Sequence, residues 1–119
     1  MKKDILERAV NYSLSIVELY RELEKDSVGR VLGKQLLRSG TAIGANVHEA
    51  QGGQSKADFI AKMSIAHKEA LESSYWLRLI QETEVISASR INDVSHETAQ
   101  LIKILSSILL TSRYRKGNA

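Results

Sequence analysis

An antiparallel up-down-up-down bundle of four α-helices is the fold this sequence predicts, and three observations predict it. Apolar residues recur at alternating steps of three and four along four separate stretches. Only three short breaks separate those stretches, and the chain has no proline. Leu, Ile, Ala, Glu, Lys and Arg dominate while aromatic residues make up 5%, a composition that suits long helices better than short strands.

The first helix is expected over residues 3–26, where Ile5, Ala9, Tyr12, Ile16, Leu19 and Leu23 form one stripe. Lys25-Asp26-Ser27 breaks it, and Asp26 or Ser27 can cap the next helix. The second helix is expected over 28–51, with Val28, Leu32, Leu36, Ile43 and Val47 inward and Ser39, Gly40, Ala42, Gly44 and Ala45 between them. Gly40 and Gly44 each cost roughly 1 kcal/mol relative to alanine inside a helix, a sacrifice that suits close approach by a neighbouring backbone. Gln51-Gly52-Gly53-Gln54 is the clearest stop, since glycine readily takes the left-handed conformation that ends helices. Ser55-Lys56-Ala57-Asp58 then reads as a cap for a third helix over 56–84. Phe59, Met63, Ala66, Ala70, Leu77 and Ile80 line its inner face, with Ser73 or Ser74 continuing the seam. Ser87-Ala88-Ser89 opens a fourth helix over 88–113, whose stripe is Ile91, Val94, Thr98, Leu101, Leu105, Ile108 and Ser112. Helices of this length span roughly 35–43 Å at 1.5 Å per residue, and their short connections favour antiparallel neighbours. The whole of 1–119 reads as one domain, of a size that buries a real core.

Composition bounds the function as well. The absence of cysteine excludes a disulfide framework and thiolate metal sites, and it fits a reducing cytoplasm. MKKDILERAV interrupts any apolar run with Asp4, Glu7 and Arg8, so it does not read as a signal peptide. No apolar run approaches the ~18–20 residues that span a bilayer. A net charge of +3 permits a nucleic-acid partner without requiring one.

Catalytic and metal chemistry find little to stand on. Di-iron bundles place Glu-x-x-His on two helices, and no glutamate here has a histidine three residues later. Asp93 and His96 form the one carboxylate–histidine pair at that spacing, and His48, His67 and His96 fall on three different helices. No nucleophile elbow is present, and Gly52-Gly53 lacks a Walker lysine. The expectation is a protein that is not an enzyme, with no cofactor, metal or small-molecule substrate.

The polar residues of the second and third helices carry more. Asn46 and Glu49 lie eight and eleven residues beyond Arg38, so the three share roughly one face; Asp58, Lys62, Glu69 and Glu72 occupy comparable positions on the third helix. Charges beside a bundle seam must be paired. Interhelix ion pairs fixing hairpin register, contacts between subunits, and a catalytic carboxylate pair are the three readings open to them. Trp76 adjoins Tyr75, and adjacent helical residues point ~100° apart. With Ala70 and Leu77 inward, Trp76 falls on the flank, where an interface anchor belongs; packing over the core's end or stacking on a base are its other roles. Arg30, Lys34 and Arg38 repeat every four residues, and Arg113, Arg115 and Lys116 cluster near the C-terminus. Arg30, Lys34 and that cluster are the candidate phosphate contacts.

The runs QLLRSGTAIGANVHEA, SKADFIAKMSIAHKEALES and YWL resemble the four-helix bundle family that includes the 23S rRNA intervening-sequence proteins. They are also similar to the accessory variability protein of diversity-generating retroelements. The family motif matches Gln35, Arg38, Ser39, Asn46, Glu49, Ser55, Asp58, Phe59, Ala66 and Glu72, and Lys68, Glu69, Ala70, Glu72, Tyr75, Trp76 and Leu77 match one subgroup. The resemblance implies an antiparallel bundle that assembles into a ring, a homopentamer, with no established catalytic activity. In the retroelement relatives a basic ring surface binds RNA and a reverse transcriptase. The functional expectation is a non-enzymatic homo-oligomeric module with an RNA-binding or ribonucleoprotein-adaptor role. The alternative is a protein-interaction scaffold without nucleic-acid contact.

Overall fold

The computed structural model describes residues 2–118, with side chains over 5–114. Four helices follow in order: α1 (Lys2–Leu23), α2 (Ser27–Gln51), α3 (Lys56–Thr83) and α4 (Ala88–Asn118). α1 packs on α2, α2 on α3 and α3 on α4, while α4 returns to α1; the backbones of diagonal pairs do not approach closely among the described residues. This is an all-α, antiparallel four-helix bundle, 51 × 20 × 20 Å.

Capping sets the first two junctions. Asp26 holds an extended backbone (φ −107°, ψ 141°), and its Oδ2 accepts from the N–H groups of Val28 at 3.0 Å and Gly29 at 2.9 Å. α1 therefore stops at Leu23, three residues short of the expected end. Ser55 caps α3 in the same way, its Oγ accepting from the Asp58 N–H at 3.1 Å. The glycine turn behaves differently from expectation. Gly52 ends α2 with φ −94°, and no glycine among the described residues has positive φ. The left-handed conformation falls instead on Glu84 (φ 55°, ψ 35°), which ends α3.

All six residues of the α1 stripe are buried, as are Met63, Ala66, Ala70, Leu77 and Ile80 of α3. Phe59 is only half-buried at the entry to α3. On α2 the buried face runs through Gly29, Gly33, Leu36, Gly40, Ile43, Gly44 and Val47. Val28 is turned aside, 48% exposed, and Leu32 is half-buried. The cause is the approach of α1. A Cβ on Gly40 would lie 3.0 Å from Ile16 Cγ1, and one on Gly29 would collide with the Leu23 carbonyl oxygen. Glycines thus occupy the inward positions, displacing the apolar side chains by one residue. On α4 the stripe drifts from Ile108 to Leu109, which is 4% exposed, because 3.6 residues per turn do not keep strict heptad register.

Candidate functional site: a polar seam through and around the bundle

The α2–α3 register is set by three pairs. Ser39 and Ser73 lie in the core with their hydroxyl oxygens 2.8 Å apart. Lys62 Nζ donates to Glu49 Oε1 at 2.8 Å. Arg38 Nη1 donates to Glu69 Oε1 at 3.4 Å, and its Nη2 pairs with Glu72 Oε2. Glu72 Oε2 also accepts from Trp76 Nε1 at 2.9 Å. One carboxylate therefore joins the arginine of α2 to an indole one turn along α3. Trp76 is half-buried against the core, with Tyr75 meeting it edge-on at 5.0 Å and 69°. Lys62 holds the Glu49 carboxyl below its ordinary range, and Glu49 pushes the Lys62 ammonium up, in both cases through their hydrogen bond first and charge attraction second.

The other motif residues are placed separately. Asn46 Nδ2 donates to the Ala42 carbonyl at 2.8 Å, within its own helix. Ser55 and Asp58 form the α3 cap. Gln35 is exposed and makes no side-chain bond among the described residues. Of the basic candidates, Arg30 donates to the Glu24 carbonyl at 3.4 Å, Lys34 is exposed, and Arg113 donates to Ser64 Oγ at 3.0 Å. The side chains of Arg115 and Lys116 lie outside the described residues. Arg30 and Lys34 stand near the start of α2 while Arg113 stands late on α4, so antiparallel packing puts the two groups toward opposite ends of the bundle.

A set of contacts that helical spacing alone does not reveal crosses the core. Tyr12 Oη and Thr98 Oγ1 are 2.7 Å apart, both buried. The Thr98 hydroxyl lies 2.7 Å from the Val94 carbonyl, and that of Ser73 lies 2.9 Å from the Glu69 carbonyl. If those protons go to the backbone, Tyr12 donates to Thr98 and Ser39 donates to Ser73. The Ser73 hydroxyl also acts on the Tyr12 phenol from across the core, favouring its ionised form. Each helix thus contributes one hydroxyl to a single buried layer. Burial is the first cause that pushes the Tyr12 phenol up to about 12, ahead of the opposing hydrogen bonds from Thr98 and Ser73. Outside this layer the α1–α4 seam is closed by Arg8, whose Nε and Nη2 both donate to Glu97 at 2.9 Å, and by Arg90 paired with Glu22. The hydroxyl-bearing residues at core positions 12, 39, 73 and 98 were the available sequence signal.

No three His, Cys, Asp or Glu residues among those described could together hold a metal ion. Among the described residues no helix is long and apolar enough to cross a membrane.

Fold and seam together define an antiparallel four-helix bundle protein in which ion pairs cross the α2–α3 and α1–α4 seams. The chain belongs to the 23S rRNA-intervening sequence protein family, whose model matches residues 1–107. It is similar to a crystal structure from Bacteroides thetaiotaomicron described as a protein of unknown function from the S23 ribosomal protein family. That similarity has a TM-score of 0.84 at 41% identity and covers 88% of this chain and 97% of the other. No protein with a curated description matches.

Proposed function

We propose that this chain is a non-enzymatic, self-assembling bundle of the cytoplasm that uses the α2–α3 flank as its subunit contact. The observation that carries the reading is how that flank changes character along its length. Val31 lies seven residues before Arg38, and Leu79 and Trp76 lie seven after Glu72 and Glu69, so each pair shares a helix flank. The groove that holds the Arg38–Glu69–Glu72 knot therefore continues as an apolar strip of Val28, Val31, Trp76 and Leu79. Val31 is 63% exposed. A tryptophan anchor between an arginine knot and exposed aliphatic side chains is the composition of an interface centre. The resemblance to ring-forming relatives points the same way, toward a homopentamer. The pairing of Arg38, Glu49, Glu69 and Glu72 with other side chains supports a structural role over a catalytic one, and the absence of cysteine supports the compartment.

An RNA-adaptor role extends the proposal. The family's name, the net charge of +3 and the exposed pair Arg30 and Lys34, one turn apart, support it. The wide separation of these residues from Arg113 favours the second reading, a scaffold without nucleic-acid contact. Filter binding at ~50 mM salt separates the two, since phosphate contacts weaken steeply as salt rises.

The assembly is tested by light scattering on the Val31→Glu and Arg38→Ala variants, with circular dichroism to verify helix content. Both should keep their helices and lose mass relative to the native assembly. A Val31→Glu variant with native mass would remove this flank from the interface.

A further inference from the structure

We infer that the α1–α4 seam is a polar latch, and that the bundle opens there while α2 and α3 stay paired. The four seams are not equivalent. α2–α3 is the most extensively packed and α1–α4 the lightest. Short turns join α1 to α2, α2 to α3 and α3 to α4, whereas no connection joins α1 to α4. The closing seam therefore lacks the covalent restraint that holds the others in register.

Polar bonds span the seam where that restraint is missing. Along α1, Arg8 grips Glu97 with two hydrogen bonds, Tyr12 meets Thr98, and Glu22 pairs with Arg90. These three links are spread over most of the length of α1. Sliding α1 by seven residues against α4 would still lay apolar on apolar, because Tyr12 would face Leu105 or Ile91, both core residues. The slide would strip the phenol of its partner and set Arg8 beside Ile104 or Arg90. The latch thus selects one closed register that the apolar stripes leave degenerate, as a single buried polar residue does in coiled coils.

The hydroxyl layer shows where opening stops. Breaking Tyr12–Thr98 leaves Thr98 bonded to the Val94 carbonyl and Ser73 bonded to the Glu69 carbonyl, with Ser39–Ser73 undisturbed. The α2–α3 half of the layer survives without the α1–α4 half. Local opening of this kind draws on the least-packed element of a fold. The inference rests on the bundle alone and stands whether or not copies of the chain assemble.

Hydrogen exchange of the intact 119-residue chain, read by mass spectrometry, tests it. In the native protein, core amides of α1 and α4 should exchange at least ~10-fold faster than those of α2 and α3. Arg8→Ala should speed α1 and α4 by a further several-fold and leave α2–α3 unchanged. Equal protection in all four native helices would overturn the latch, and so would an Arg8→Ala effect spread evenly over the bundle. The native measurement decides the question even if the variant folds poorly.

Discussion

Replacing Tyr12 by phenylalanine isolates the buried hydroxyl layer, because the ring stays and only the oxygen goes. At neutral pH the loss should be modest. Thr98 and Ser73 keep their backbone carbonyl partners, so no donor is orphaned, and one net hydrogen bond is worth about 1 kcal/mol. At alkaline pH the sign reverses. The phenol titrates at about 12 in the folded chain and at about 10 when unfolded. A pKa raised by folding contributes stability that is fully present below the unfolded value and is lost as pH climbs through the folded one. The native protein should therefore lose about 1.4 kcal/mol by about pH 11 through this group, and more by about pH 12. The Tyr12→Phe variant has nothing to ionise at that position. Urea unfolding followed by circular dichroism, run on both proteins from neutral to about pH 11.5, reads the difference between them and cancels the titrations they share. The native protein should lead by about 1 kcal/mol at pH 7 and fall level or behind near about pH 11. A difference that stays constant with pH would refute the reasoning, since it would place the phenol in water rather than in the layer.

Three further outcomes follow from the geometry. Glu84→Gly should stabilise by about 0.5–1 kcal/mol, because it removes a side chain from the left-handed region at some cost in chain entropy; thermal melting gives the value, and a loss of stability would contradict it. Gly29→Ala should destabilise by about 1–3 kcal/mol despite alanine's better helix propensity, since its Cβ meets the Leu23 carbonyl; denaturant melts should show this, and a gain in stability would mean that α1 and α2 are less close. Arg38→Ala should lower the melting temperature modestly, the arginine being half exposed while Glu72 keeps only the Trp76 indole as a donor; an unchanged melt together with an unchanged mass would deprive Arg38 of any structural role.

Most of the bundle could be read in the chain because periodicity and caps are local signals. The α1 stripe, the Asp26 and Ser55 caps and the glycine turn after Gln51 all depend on residues a few positions apart. Where helices approach unusually closely, local reading fails by one residue: Val28 has the right spacing, but Gly29 and Gly33 take the inward places because α1 leaves no room for a side chain. The left-handed position went to Glu84 rather than Gly52 because α2 closes on ordinary turn geometry, with the N–H groups of Gly52 and Gly53 bonded to the carbonyls of Glu49 and Ala50. Arg38, Glu69 and Glu72 stood out in the sequence, and the fold brings them together. Arg8–Glu97 and Tyr12–Thr98 did not, since no spacing rule links residues almost ninety positions apart. Those long-range partners close the bundle.

Native mass spectrometry of the unmodified chain at micromolar concentration puts self-assembly to the test without any substitution. A single dominant species at two or more times 13.3 kDa, in whole multiples, is the expected result. A dominant 13.3 kDa species would contradict it, leaving the apolar strip beside Trp76 without the partner proposed for it.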